Sequence, residues 1–64
     1  MDLNTLREYL NIHLISLEQD IEKLSNEMEA VDINSKAFND MDFEYNNLSG
    51  QSIAIQHILG VINE

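Results

Sequence analysis

The chain has 64 residues, no cysteine and no proline, and its twelve acidic and three basic side chains give a net charge of −9. Disulfides and thiolate metal sites are therefore excluded, and the negative charge repels nucleic-acid backbones and anionic membrane surfaces. A chain this short buries only about 60% of its unfolded surface, so we expect oligomerisation to supply part of the stability of a single 1–64 domain.

The first predicted helix spans about residues 3–30. Its apolar side chains recur every seven residues in two ladders offset by three and four, which places one continuous stripe on one side of an α-helix. Asp2 or Asn4 can act as the N-cap. The d ladder contains Leu3, Leu10, Leu17, Leu24 and Val31, and the a ladder contains Arg7, Leu14, Ile21 and Met28, with Arg7 as the polar exception.

The predicted turn covers about residues 31–35, and the second predicted helix spans about 36–63. Asn34 or Ser35 can cap this helix, and the small residues Gly50 and Ser52 predict a close helix approach or a bend. A short connection makes the helices antiparallel neighbours, although the absence of Pro and Gly from the turn leaves one continuous helix as the alternative. The second helix has the ladders Phe38, Tyr45, Ser52, Leu59 and Met41, Leu48, Ile55, Ile62.

Folding the chain at about Ile33 places residue n beside residue 67 − n, and it brings the two broad apolar ends together at the open end of the hairpin. One neighbouring helix cannot cover so wide a surface, which indicates a second subunit or an external partner. We therefore predict an all-α antiparallel helical hairpin that dimerises into a four-helix bundle. The residues predicted for self-association are Leu6, Tyr9, Ile12, Ile15, Ile53, Ile58 and Val61.

Acidic side chains are concentrated toward the turn. They can keep the protein dispersed in water, or they can bind a basic protein and imitate a nucleic-acid backbone. Carboxylates one helical turn apart lie about 6 Å from each other, which is comparable to the spacing of successive phosphates. The residues predicted for partner binding, here called the acidic tip, are Glu18, Glu22, Glu29, Asp40, Asp42 and Glu44.

Catalysis, metal binding and cofactor binding have little support in the sequence. Thr5, Tyr9 and His13 share one helical face, but a two-helix subunit offers no recessed pocket for a nucleophile and base. His13 and His57 fall at similar heights in the hairpin without a third metal ligand nearby, so we expect them to be polar residues at the rim of the dimer interface. No enzyme activity, cofactor or metal is predicted.

The segment Tyr45–Leu59, YNNLSGQSIAIQHIL, resembles in general style the short, acidic helical-hairpin proteins of bacteriophages and prophages. The resemblance covers less than a third of the chain. It implies a small modulator that occupies a surface of a host enzyme or defence protein, in the host cytoplasm.

We expect a non-enzymatic protein interaction module, such as an inhibitor or adaptor. The alternatives are a nucleic-acid-binding regulatory dimer and a structural component of a larger assembly. Asp2 stands where a signal peptide would carry Lys or Arg, and the longest apolar patches are too short to span a bilayer. We therefore predict a cytoplasmic protein without a membrane segment.

Overall fold

The computed structural model describes residues 2–63, which form two helices, α1 (Leu3–Glu29) and α2 (Lys36–Ile62). The helices pack against each other in an elongated body of 46 × 16 × 15 Å. At about 1.5 Å per residue, each helix runs almost the full length of that body. The prediction of an all-α chain with two helices is confirmed, and the alternative of one continuous helix is wrong.

Each helix begins at a short polar side chain that binds a free backbone N–H group of the first turn. The Thr5 backbone N–H donates to Oδ1 of Asp2 at 2.8 Å, and this hydrogen bond lowers the pKa of Asp2. The Phe38 backbone N–H donates to Oγ of Ser35 at 3.0 Å. Asp2 and Ser35 are therefore the N-caps, as one of the two alternatives at each helix start predicted.

The turn reverses the chain without glycine because polar side chains fix its backbone. The Asn34 N–H donates to the Asp32 carboxylate at 2.9 Å, and both the N–H and the hydroxyl of Ser35 donate to the Asp32 carbonyl. Within residues 2–63 every non-glycine residue keeps a negative φ. Such Asx and Ser turns replace the left-handed glycine that often ends a helix.

The core is a narrow seam made by the two ladders of each helix. Its buried apolar residues are Leu10, Leu17, Leu24, Ile55 and Leu59. The remaining ladder residues are half-buried, except for Ser52, which is buried, and Leu3, which is 55% exposed beyond the end of the seam. Four half-buried residues pack against the buried cluster of Leu10, Leu17, Ile55 and Leu59: Leu6, Leu14, Leu48 and Ile62.

At the open end, a side-chain hydrogen bond joins Arg7 to a residue three positions beyond its predicted neighbour. Residue 60 was the expected neighbour of Arg7, but Nε of Arg7 donates to Oδ1 of Asn63 at 2.8 Å. Side chains on an α-helix point back toward its N-terminus, which for α1 is the open end. The long Arg7 side chain therefore reaches beyond the height of its own backbone.

The predicted close approach at Gly50 is wrong. Gly50 is exposed, and a Cβ atom built there would meet no neighbour within 4 Å. Ser52 occupies the seam instead, where its hydroxyl accepts a hydrogen bond from Nε2 of Gln56 at 3.2 Å. Of the two small residues, Ser52 on the ladder is thus the one buried between the helices.

Candidate protein interaction surfaces

Two long surfaces flank the seam, one on each side of the hairpin. With Leu10 at a d position, Leu6 is a g residue and Asn4 is an e residue. In an antiparallel helix pair, g residues of both helices share one side and e residues share the other. We call these surfaces the g face and the e face.

The g face changes character along its length. Near the turn, an open groove is lined by Asp20, Lys23, Glu27 and Glu44 over Leu24 and Leu48. Residues seven apart return to the same side of a helix, so the g face continues through His13 to Leu6 on α1 and through Gln51 to Ile58 on α2. It is therefore acidic in its turn half and mostly apolar in its open half.

Tyr9 belongs to the open half of the g face. Its ring stacks on that of His13, with the two ring centroids 6.2 Å apart and the ring planes 14° from parallel. Tyr9 is also fourteen residues before Lys23, which lines the groove of the same face. Tyr9 is exposed, so an apolar ring lies beside the half-buried Leu6 on this surface.

The e positions are polar along the whole length of the hairpin. At the open end, Arg7 donates to Oδ1 of both Asn4 and Asn63, which ties the two helices together. The e face therefore offers hydrogen-bonding groups along its length. Its residues are Asn4, Asn11, Glu18 and Ser25 on α1, and Asp42, Ser49, Gln56 and Asn63 on α2.

The residues predicted for self-association divide between surfaces. Leu6, Tyr9, Ile58 and Val61 lie on the g face, since Val61 follows Ile58 at the same three-residue spacing at which Tyr9 follows Leu6. Ile58 is 44% exposed there, whereas Ile53 is 65% exposed. Three others lie on the outer sides of the helices, away from the seam, and all are exposed: Ile12, Ile15 and Ile53. Sequence reasoning placed His13 only at the rim of the dimer interface and did not name Gln51, although their seven-residue spacing from Leu6 and Ile58 places both on the g face.

All six residues of the acidic tip are exposed. They do not share one face, because Glu44 lies on the g face whereas Glu18 and Asp42 lie on the e face. Asp40 accepts a hydrogen bond from Nζ of Lys36 at 3.4 Å, in an exposed ion pair. Phe43 stands between these acids and is 77% exposed, which adds an apolar ring to this end of the hairpin.

No group of three or more His, Cys, Asp or Glu side chains is placed to hold a metal ion anywhere in residues 2–63. By its heptad position His57 lies on the outer side of α2, whereas His13 lies on the g face. In the described part of the chain, neither helix has a stretch long and apolar enough to cross a membrane. No protein-family model, curated protein or solved structure matches the chain.

Proposed function

We propose that this protein is a non-enzymatic protein interaction module that self-associates through its open end and binds a basic protein through its acidic tip. The observation that carries the proposal is the polarity of the hairpin along its length. Exposed Tyr9 and Ile58 lie toward one end, and exposed Asp40 and Glu44 lie toward the other. The four-helix bundle predicted from the sequence is the assembly that this polarity supports.

The position of the acids supports a role in binding beyond keeping the protein dispersed. Glu27 and Glu29 lie in the last turn of α1, where unpaired carbonyl groups already carry partial negative charge. Lys36 lies in the first turn of α2, where the helix dipole disfavours a cation. Charges that oppose the helix dipoles reduce stability, and proteins accept such reductions most often at functional sites.

The absence of enzyme activity is part of the proposal. The open groove on the g face has a volume of about 310 Å³ and holds three carboxylates and one lysine over two leucines. It lacks a nucleophile beside a base, and its wide opening does not exclude water. A surface that acts by occupying a partner fits this arrangement, and an inhibitor or adaptor of a host protein of the phage type is the form we propose.

The test is capture from a bacterial lysate with two forms of the full chain. In the neutralised form, Glu18→Gln, Glu22→Gln, Asp40→Asn and Glu44→Gln remove charge from the acidic tip. We expect the wild type to retain a basic protein and the neutralised form to lose it. Retention of the same partner by both forms would contradict the acidic tip as the contact.

A titration of labelled DNA and RNA at low salt tests the nucleic-acid alternative. We expect no binding, because every phosphate contact would oppose a net charge of −9. Binding that weakens as salt is added would favour the regulatory dimer. Stable co-purification with one stoichiometric neighbour, without inhibition of it, would favour the structural component.

A further inference from the structure

We propose that two copies of the chain associate through the open half of the g face, in antiparallel orientation, with their turn ends at opposite extremes of the dimer. Only the open halves overlap in this arrangement, so both acidic tips stay free. The inference rests on the self-association in the proposed function, and it assigns the surface and the orientation.

The g face is the flank on which both helices present apolar groups side by side. Helices of a four-helix bundle carry apolar residues at a and d plus one flanking position, e or g. In the open half, the g positions supply Leu6 from α1 and Ile58 from α2, with Tyr9 beside them. The e positions at the same heights are Asn4, Asn11, Gln56 and Asn63, and all are polar.

The outer apolar residues cannot form the same interface. Ile12 and Ile15 face away from α2, and Ile53 faces away from α1, because their heptad positions lie on the far side from the seam. One flat partner surface cannot cover the outer sides of two helices at once. A partner laid on the g face covers α1 and α2 together.

The exposed area of one subunit matches what a dimer needs. A compact globular monomer of 7.4 kDa exposes about 4,200 Å², whereas this chain exposes 4789 Å². The surplus is about 600 Å² per subunit, or about 1,200 Å² for a pair, which is the lower end of the range for specific interfaces. A second copy that covered this surplus would therefore bury an area within the range of specific interfaces.

Charge decides the orientation of the two copies. In a parallel pair, Asp20, Glu27 and Glu44 on the g face would lie opposite the same carboxylates of the second copy, and like charges opposite each other disfavour association. In a fully overlapped antiparallel pair, these carboxylates would be buried against Leu6 and Ile58, which removes their hydration without a counter-charge. Antiparallel overlap of the open halves alone avoids both penalties.

The first test compares two isoleucines of α2. Ile58→Asp places a charge on the g face, and Ile53→Asp places the same charge on the outer side of the same helix. We expect Ile58→Asp to halve the mass measured by light scattering, from twice 7.4 kDa to 7.4 kDa, and Ile53→Asp to leave it at the dimer value. Circular dichroism shows whether both variants remain helical.

The second test measures orientation and does not disturb the interface. Because the chain has no cysteine, Asn34→Cys in the turn carries a single spin label on each subunit. With a rise of 1.5 Å per residue, the turn lies about 36 Å from the centre of the open half, so we expect the two labels to be about 70 Å apart. In a parallel bundle they would lie within about 30 Å.

The outcomes separate this inference from the proposed function. A wild-type chain that remains a monomer would overturn both the self-association and the surface assigned to it. A wild-type dimer that Ile53→Asp dissociates and Ile58→Asp does not would overturn the g face alone. A label distance within about 30 Å would overturn the antiparallel orientation.

Discussion

Gly50 lowers the stability of α2, and no packing contact within the subunit requires a glycine there. It lies within the helix, it is exposed, and an added Cβ atom would meet no neighbour within 4 Å. Glycine in a helix interior loses more backbone freedom on folding than alanine does. We expect Gly50→Ala to raise the free energy of unfolding by about 0.5–1 kcal/mol, measured by thermal unfolding at a fixed protein concentration.

Ala54 provides the matched control for this prediction. It is exposed and lies four residues after Gly50 in the same helix. Ala54→Gly should lower the free energy of unfolding by a similar amount, because it adds the same backbone entropy to the unfolded chain. A loss of stability in Gly50→Ala would mean that the glycine has a contact in the assembly that one subunit does not contain.

Single residues also show where sequence reasoning reaches its limit. The pattern named two possible caps at each helix start, and Asp2 and Ser35 proved to be the caps. Asn4 is not a cap because α1 begins at Leu3, so Asn4 lies inside the helix, where its side chain accepts a hydrogen bond from Arg7. That contact depends on where Arg7 points, and Arg7 also binds Asn63 at the far end of the chain, a partner that local sequence does not specify.

At the scale of the element, α1 ends with charges that oppose its dipole. Its last turn holds Glu29 and contains no basic residue. We expect Glu29→Lys to raise the free energy of unfolding by about 0.5–1 kcal/mol, because a cation there interacts favourably with the unpaired carbonyl groups. Thermal unfolding in low salt measures the gain.

Glu8→Lys is the control for the dipole effect, because it changes the net charge equally near the opposite end of α1. Glu8 is exposed, and a cation near the helix N-terminus gains nothing from the dipole. A similar gain in both variants would show that overall charge, and not the helix terminus, is responsible. The gain in Glu29→Lys should shrink as salt is added.

The elements themselves follow from the heptad pattern, because one period decides both where a helix runs and which side is buried. Leu10, Leu17 and Leu24 are all buried, as the d ladder predicts. The division of the exposed apolar residues between the g face and the outer sides was not predicted. It depends on which flanks of α1 and α2 lie on the same side, and the groove beside Glu44 and the bond between Arg7 and Asn63 establish that.

At the scale of the whole molecule, the length of the hairpin keeps its apolar open half apart from its acidic turn half. The body is 46 Å long, several times the screening distance of about 8 Å at physiological salt. In the proposed function, the apolar open half and the acidic turn half therefore act on different partners without much mutual interference. A second copy can occupy one half while a basic protein binds the other.

This separation predicts opposite salt dependence for the two interactions. Each subunit carries a net charge of −9, so two copies repel each other, and added salt should tighten the dimer by screening that repulsion while leaving the apolar contact intact. Binding of a basic partner should weaken over the same range, because salt screens its attraction to the acidic tip. Sedimentation measures the first and titration with the captured partner measures the second. The test raises sodium chloride from about 50 to 500 mM, over which the Debye length falls from above 10 Å to below 8 Å. If the dimer dissociates over this range, ion pairs hold the two copies together, and the apolar contacts of Tyr9 and Ile58 do not.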